Sequence, residues 1–168
     1  MSDIHQQDID GCNFTMSVLE GQLRIVNWTH TKGEYDRYDV DMSGVTPDGR
    51  IIHIEDENKD RRWGWTNGTR DYDKPQFFNS FSSQMFNYEK YERMIAVYEA
   101  SGIQQCYTAG YQDGVWLCDL STLPKDKIYA DWKITHWIKE KTMDGNSVKK
   151  KQERFLIPNE YGTFFRKR

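Results

Sequence analysis

The sequence predicts an α/β (α+β) protein in which one long helix packs across a mixed central β-sheet. Three observations predict this class: two β-prone runs flank a Pro-Asp-Gly turn, an apolar stripe at helical spacing follows, and further β-prone runs come after it. One helix on one sheet is the smallest two-layer arrangement that buries the apolar faces of both. The 168 residues suit one domain, which we place at residues 13–168, behind a loose leader at residues 1–12.

The composition narrows the class of protein. Hydrophobic residues make up 37% of the chain and charged residues 29%, the balance of a water-soluble globular domain. No apolar run approaches the roughly 20 residues of a membrane helix. The polar N-terminus is neither a signal peptide nor a transit peptide, so we expect a cytoplasmic protein. The three cysteines form no C-x-x-C pair, so no zinc site or disulfide framework is expected.

The first element, at residues 14–28, fits two patterns. Phe14, Val18 and Gln22 fall at helical spacing, whereas Phe14, Met16 and Val18 alternate as in a strand. We expect a short helix, followed by a strand through Leu23, Ile25 and Asn27. A polar turn at residues 31–36 comes next.

A β-hairpin is predicted from Tyr38 to Ile54. The run Tyr38 to Met42 and the run Ile51 to Ile54 are both β-prone, and Thr46-Pro47-Asp48-Gly49 separates them. Proline presets the backbone of a turn and glycine supplies a positive φ, so Pro-Asp-Gly between two such runs is a hairpin signal.

The remaining elements follow from periodicity. Residues 60–75 predict a long loop, and a helix ends at Gly102 after an apolar stripe at i, i+3 and i+4 steps, formed by Phe81, Met85, Tyr88, Ile95 and Tyr98. Two strands are predicted next, Gln104 to Tyr111 and Val115 to Leu120. Residues 128–138 alternate, with Ile128, Ala130, Trp132, Ile134 and Ile138 on one side. Lys141 to Lys151 is predicted to be a polar connection, and Phe155 to Ile157 another strand.

The hairpin is rich in carboxylates. Side chains alternate between the faces of a strand, so Asp39 and Asp41 share one face, and Glu55, Glu57 and Lys59 share one face of the next strand. Folding about Gly49 brings Asp41 toward Glu55 or Glu57. Clustered carboxylates repel one another unless a cation compensates, and Mg²⁺ often binds through one or two carboxylates plus substrate phosphate oxygens. The alternative is a solvated edge strand whose charges discourage aggregation.

The order of these features resembles the PD-(D/E)XK nuclease superfamily, in particular its small members from bacteriophage genomes. That family places an Asp at the start of one strand, then a turn, then (D/E)-x-K ending the next strand, then a helix carrying a Lys, then two more strands. The matching features here are Asp41, the turn at residues 46–49, the acids after Ile54, Lys90 within Phe86 to Tyr91, and the hairpin from Gln104 to Leu120. The resemblance implies a restriction-endonuclease-like core.

The family triplet fits in two registers. Glu57-Asn58-Lys59 keeps the lysine but follows polar residues, whereas Glu55-Asp56-Glu57 follows the expected apolar Ile54 and has Glu57 at the lysine position. We prefer the first register, because it keeps the lysine and adds Arg61 as a phosphate-binding residue. In either register the resemblance implies Asp41, Glu55, Glu57, Lys59 and Lys90 as catalytic residues. The implied metal ligands are Asp41, Glu55 and Glu57. A further ligand from the first helix would be Glu20, with Glu34 second.

Candidate nucleic-acid contacts flank the acidic hairpin. Arg61 can bind a phosphate through two hydrogen bonds, and Arg62 and Trp63 interleave cations with an aromatic ring that could stack on bases. The basic C-terminal region adds Lys149, Lys150 and Lys151, whose alternative role is that of solvated loop lysines. Trp63 could equally serve core or lid packing.

The resemblance implies a nuclease that uses Mg²⁺ (or Mn²⁺) to hydrolyse phosphodiester bonds of DNA. The alternative is an inactive relative that binds nucleic acid or a protein partner, as a phage accessory or structural component. Implied partners are nucleic acid, with DNA first, and a second copy of the chain or a phage or host protein. If the chain is phage-encoded, it would act in the host-cell cytoplasm.

Overall fold

The structure is a computed structural model that describes residues 3–30, 40–64 and 82–168. Three helices and nine strands are labelled below in chain order. They are α1 Asp3–Leu23, β1 Val26–His30, β2 Met42–Val45, β3 Ile51–Asn58, β4 Ser83–Asn87, α2 Tyr88–Ser101, β5 Gln104–Tyr111, β6 Gly114–Asp119, α3 Lys125–Lys127, β7 Lys133–Lys141, β8 Ser147–Pro158 and β9 Thr163–Arg166. Short helical turns at Leu120–Thr122, Ile128–Trp132 and Asn159–Tyr161 connect them.

The strands form two sheets. The larger has six strands in the order β1-β2-β3-β5-β6-β9, and the smaller has three in the order β4-β8-β7. The β3–β5 pair is parallel and every other pair is antiparallel, so the predicted mixed central sheet is confirmed.

Apolar side chains cover both faces of the six-stranded sheet. On one face, Ile54 and Cys106 pack with Leu19 of α1. On the other face, Tyr107 and Trp116 pack with α2 and with the three-stranded sheet. The architecture therefore has three layers where two were predicted, because β5 is buried on both of its faces.

The predicted hairpin is confirmed at its turn and second strand, but its first strand is Met42–Val45, not the predicted Tyr38 to Met42. Val40 and Asp41 precede that strand, and residues 38 and 39 lie outside the described residues. β2 and β3 pair antiparallel, with Met42 opposite Ile54 and Val45 opposite Ile51. Gly49 has a φ of 85°, and its N–H donates to the Thr46 carbonyl at 2.9 Å. Glycine adopts this backbone conformation at little cost, which explains its place in the turn. The segments that were predicted as a turn at 31–36 and as loop beyond residue 64 lie outside the described residues.

The N-terminal region differs from the prediction. Residues 3–12, expected to be a loose leader, form the first half of α1, and the helix continues to Leu23, where a strand was expected. The reason is tertiary: Cys12, Thr15 and Leu19, at steps of three and four, are fully buried against the sheet. Neither α1 nor another helix in the described ranges is long and apolar enough to cross a membrane.

The predicted long helix is wrong at its start. Residues 83–87 form β4, whose Gln84 and Phe86 are buried opposite Ile157 and Phe155 of β8. α2 begins at Tyr88, because Asn87 caps its first turn by accepting the Lys90 N–H at 3.0 Å. The predicted end is confirmed: Gly102, with a φ of 73°, donates its N–H to the Tyr98 carbonyl.

The C-terminal third also differs. The predicted strands at 104–111 and 115–120 are confirmed as β5 and β6, but residues 128–132 form a helical turn, not a strand. The predicted polar connection after Lys141 is a tight turn at residues 142–146 between two long paired strands. Backbone pairing across that turn, which periodicity does not reveal, accounts for the difference. The sequence did not predict β9.

Candidate functional site

The alternation of side chains along β3 places its acids on two different faces of the sheet. Ile52, Ile54 and Asp56 are buried on the side of α1, whereas Glu55 and Glu57 belong to the opposite set and are half-buried. These two glutamates border a cleft of about 210 Å³ between the end of β3 and the start of α2. Its lining residues are Glu55, Asp56, Glu57, Phe86, Asn87, Lys90, Tyr107 and Arg154.

Glu55 forms an ion pair across the cleft with the helix. The Lys90 ammonium donates to Glu55 Oε1 at 2.5 Å; the Lys90 side chain is 28% exposed and the Glu55 side chain 14%. Asn87 sets the position of Lys90, because its side chain caps the turn to which that lysine belongs. The strand carboxylate and the helix lysine are therefore brought together, as the sequence predicted.

Glu57 is held by two different groups. The Tyr107 hydroxyl donates to Glu57 Oε2 at 2.8 Å, and Lys59 lies 3.1 Å from Glu57 Oε1. Burial, and then the charge of Glu57, raise the pKa of Tyr107 well above its ordinary value. Tyr107 is therefore a neutral hydrogen-bond donor, and both oxygens of Glu57 are engaged.

Asp41 is buried directly before β2 and lies against β3. Its carboxylate accepts the Asp56 N–H at 2.9 Å, and its own N–H donates to the Ile54 carbonyl at 3.0 Å. These two bonds place Asp41 beside the backbone of Glu55. Asp41 adjoins the cleft but does not line it.

Asp56 belongs to the structure of the α1 side. The hydroxyls of Thr15 and Thr108 donate to its Oδ1 at 2.7 Å and 2.6 Å in a buried setting. A buried carboxylate needs such donors, so Asp56 ties α1 to β3 and β5. No sequence signal distinguished this acid from its neighbours except strand parity.

Some predicted site residues lie elsewhere. Glu20 is exposed on α1, which packs on the Asp56 side of β3, so the structure does not bring it to the cleft. The reason is that the buried stripe of α1 turns its remaining residues to solvent. Asp39 and Glu34 lie outside the described residues.

The Arg-Trp segment after β3 divides into packed and exposed residues. Trp63 stacks on Phe164 with ring centroids 4.4 Å apart and meets Tyr111 edge-on at 5.1 Å. Asp113 accepts the Trp63 N–H at 2.8 Å. The ring of Trp63 is thus used in packing, which favours the packing alternative over base stacking. Arg61 lies over the Tyr111 ring at 6.0 Å, and Arg62 is exposed.

Three residues of the cleft were missed as site residues. Arg154 lines it from β8, with its Nε donating to Gln152 at 2.7 Å, and Tyr107 and Asn87 position the groups described above. An Asn before a periodic helical run is a capping signal and could have identified Asn87. Tyr107 and Arg154 carry no such signal. Lys149, Lys150 and Lys151 are exposed further along β8.

Carboxylates and cations alternate at this end of the sheet. Glu55 pairs with Lys90 and Glu57 with Lys59. Arg154 lines the same cleft, and Asp41 lies beside the backbone of β3. Within the described ranges, no group of three or more His, Cys, Asp or Glu side chains is spaced to hold a metal ion. Comparison with protein-family models and with curated proteins finds no match for the chain.

Proposed function

We propose that this protein is a metal-dependent nuclease that hydrolyses phosphodiester bonds of DNA at the cleft beside Glu55. The observation that carries the proposal is the 2.5 Å contact between Glu55 of β3 and Lys90 of α2. A carboxylate and a lysine that meet in a cleft, with Asp41 buried beside them, are the groups that the PD-(D/E)XK resemblance implies.

The order of elements supports the same proposal. Asp41 precedes β2, a turn leads into β3 with its acids, α2 carries the lysine, and the antiparallel pair β5 and β6 follows. This is the order expected of that superfamily. The β4 strand inserted before α2 departs from it.

The proposal requires one magnesium ion held by few protein carboxylates. Mg²⁺ keeps several waters and takes one or two protein carboxylates, for which Glu55 and Asp41 are the candidates. Glu57 fits less well, because Lys59 and Tyr107 already occupy its oxygens. We therefore propose the Glu55-Asp56-Glu57 register, with Lys90 supplying the cation, in place of the Glu57-Asn58-Lys59 register preferred from the sequence.

Bound Mg²⁺ would supply Lewis-acid chemistry, a lower pKa of its water and charge compensation at the phosphate. The chain supplies the positioning. Glu55 holds the Lys90 ammonium at the cleft, where it can orient an attacking water and stabilise negative charge on the phosphate. Arg154, which also lines the cleft, would bind a neighbouring phosphate oxygen.

Cleavage of supercoiled plasmid tests the proposal. Purified protein should nick the plasmid with Mg²⁺ or Mn²⁺ and not with a chelator. Glu55→Gln and Asp41→Asn should each lower the rate at least about a hundredfold, because each removes a charge that acts on the transition state. Glu89→Gln, an exposed acid in the same turn as Lys90, is the matched control and should retain activity. Equal nicking by all four proteins, or no nicking with either metal, would refute the proposal.

A non-catalytic nucleic-acid-binding relative is the second candidate. The observation in its favour is that lysines already pair with both glutamates, Lys90 with Glu55 and Lys59 with Glu57. Because lysines already balance the negative charge of these glutamates, the site does not require a metal ion. Salt-sensitive DNA binding without cleavage in either metal would establish this candidate instead.

A further inference from the structure

The antiparallel hairpin of β7 and β8 extends away from the core. We define its outer part, residues 137–151, as the arm. All side chains from Thr142 to Lys151 are exposed, and Trp137 is 61% exposed. The turn at the tip is well formed, because the Thr142 N–H donates to the Asn146 carbonyl at 2.8 Å.

The strand register separates the residues of the arm into two faces. Residues directly opposite each other on antiparallel strands share a face. Trp137 lies opposite Lys151, and Lys139 lies opposite Lys149. These four residues form one face of the arm, which we call the lysine–tryptophan face, whereas Lys150 belongs to the other face.

The lysine–tryptophan face carries positive charge that destabilises the β7–β8 pair in the absence of a ligand. Like charges directly opposite each other destabilise a strand pair, as Lys139 and Lys149 do here. The next pair outward is Lys141 and Ser147, so none of the six positions is acidic. The nearest acid inward, Glu153, pairs with Lys133 at 3.1 Å. A polyanion would relieve the repulsion.

The exposed indole of Trp137 indicates which class of polyanion fits this face. Aromatic side chains bind single-stranded nucleic acid by stacking on unpaired bases, while neighbouring cations follow the backbone. Bases inside a duplex already stack on one another and offer no free face to a tryptophan. The mixture of an exposed Trp137 with three lysines therefore fits a single strand better than a duplex.

We infer that the lysine–tryptophan face binds a single-stranded stretch of nucleic acid, with Trp137 stacked on a base and Lys139, Lys149 and Lys151 on phosphates. The inference rests on the proposed function, since it makes this strand part of the nuclease substrate. Arg154, which lines the cleft, is three residues from Lys151 on β8, or about 10 Å at strand rise. Three residues is an odd step along a strand, so Arg154 shares the face of Lys150, and the lysine–tryptophan face lies on the other side of β8. A strand bound there would therefore reach the cleft by passing around the β7 edge of this sheet.

Fluorescence anisotropy with a labelled single-stranded oligonucleotide, and with its duplex, tests the inference. A chelator prevents cleavage, so binding is measured separately from activity. The single strand should bind more tightly than the duplex. Trp137→Ala should weaken single-strand binding roughly 5- to 100-fold, whereas Trp137→Phe, which keeps a stacking ring, should retain most of it. The inference requires both the preference for the single strand and the difference between the two Trp137 variants.

The lysines are tested by salt dependence. Substituting Lys139, Lys149 and Lys151 together by Gln should reduce the slope of log affinity against log salt by about 2, since each phosphate contact on a single strand contributes roughly 0.7. Lys150→Gln, on the same strand but the opposite face, is the matched control and should change the slope little. Lys149→Glu should weaken binding while raising the melting temperature, because it replaces a repulsive pair with Lys139 by an attractive one.

The outcomes separate the two proposals. Binding that depends on Trp137 without any cleavage would refute the nuclease and keep the arm as a single-strand site. Cleavage combined with binding that is insensitive to Trp137 and to the three lysines would refute the arm. Preference for the duplex would refute it as well.

Discussion

At the scale of single residues, three neighbouring acids on β3 have three different environments. Glu55 meets Lys90 in the cleft, Glu57 is held by Tyr107 and Lys59, and Asp56 is buried between two threonines on the other face. The partner of each carboxylate follows from which face of β3 it occupies. The proposed chemistry therefore belongs to Glu55, while Glu57 and Asp56 hold the structure around it.

Tyr107→Phe tests the supporting role of Glu57. The phenol is fully buried and donates to a carboxylate at 2.8 Å, so its removal should lower the free energy of unfolding by about 1–2 kcal/mol. Urea denaturation measures the loss. In a double-mutant cycle with Glu57→Gln, the combined cost should be smaller than the sum of the single costs. Tyr98→Phe, at a more exposed position, should change stability little, and additive costs for the cycle would contradict the assignment.

At the scale of elements, close backbone approaches determine how the edges of the sheets assemble. β9 joins the six-stranded sheet at Gly114, which pairs with Arg166. A Cβ at Gly114 would lie 2.3 Å from the Phe165 carbonyl oxygen, which is backbone and cannot rotate away. Glycine at this position is therefore required by the neighbouring strand.

Two glycine-to-alanine substitutions should act in opposite directions. Gly114→Ala should destabilise the protein by about 1–3 kcal/mol, because β9 must move to accept the methyl group. Gly21→Ala should stabilise it by up to about 1 kcal/mol, because Gly21 lies in α1 with nothing within 4 Å of its Cβ position. Thermal unfolding monitored by circular dichroism measures both shifts. A Gly114→Ala protein as stable as the wild type would show that β9 is not packed as described.

At the scale of the whole molecule, the six-stranded sheet separates two hydrophobic cores. β5 is one of its two central strands and is buried on both faces. Polar groups near it therefore destabilise the fold unless they remain neutral or find hydrogen-bond partners. His53, next to Gln105 across the β3–β5 pair, is such a group: Gln105 Nε2 lies 3.1 Å from its Nδ1. Burial lowers the pKa of His53 below its ordinary value of 6.5, although the Gln105 hydrogen bond opposes the shift.

This shift predicts part of the acid sensitivity of the fold. The unfolded chain binds a proton at His53 more readily than the folded chain does. The contribution of neutral His53 to the free energy of unfolding is therefore complete above about pH 6.5, and it is lost as the pH falls toward the pKa of His53 in the folded protein. The melting temperature should therefore fall between about pH 7.5 and pH 5.5, and His53→Gln should reduce that fall. An unchanged pH dependence in His53→Gln would show that other groups are responsible.

Local chemistry explains what could be predicted from the sequence. The hairpin of β2 and β3, the end of α2 at Gly102 and the β5–β6 pair all depend on turn residues, caps and alternation within a few residues. The candidate site was predictable to the same extent. The predicted hairpin brings Asp41 toward Glu55 or Glu57, and the family resemblance implies Lys90.

Contacts between distant segments decided the rest. The run at Met85 and Tyr88 has helical spacing, yet β8 captures residues 83–87 as a strand and leaves the helix to begin after Asn87. Pairing of β7 with β8 made an arm of the expected polar connection. Packing of α1 on the Asp56 side of β3 placed Glu20 away from the other acids. By itself, the sequence determined the local turns, the helix end and the acidic hairpin, since their energies come from neighbouring residues. Only the tertiary structure decided the three layers, the partner of each carboxylate and the shared face of Trp137 and its lysines, because those depend on which surfaces meet.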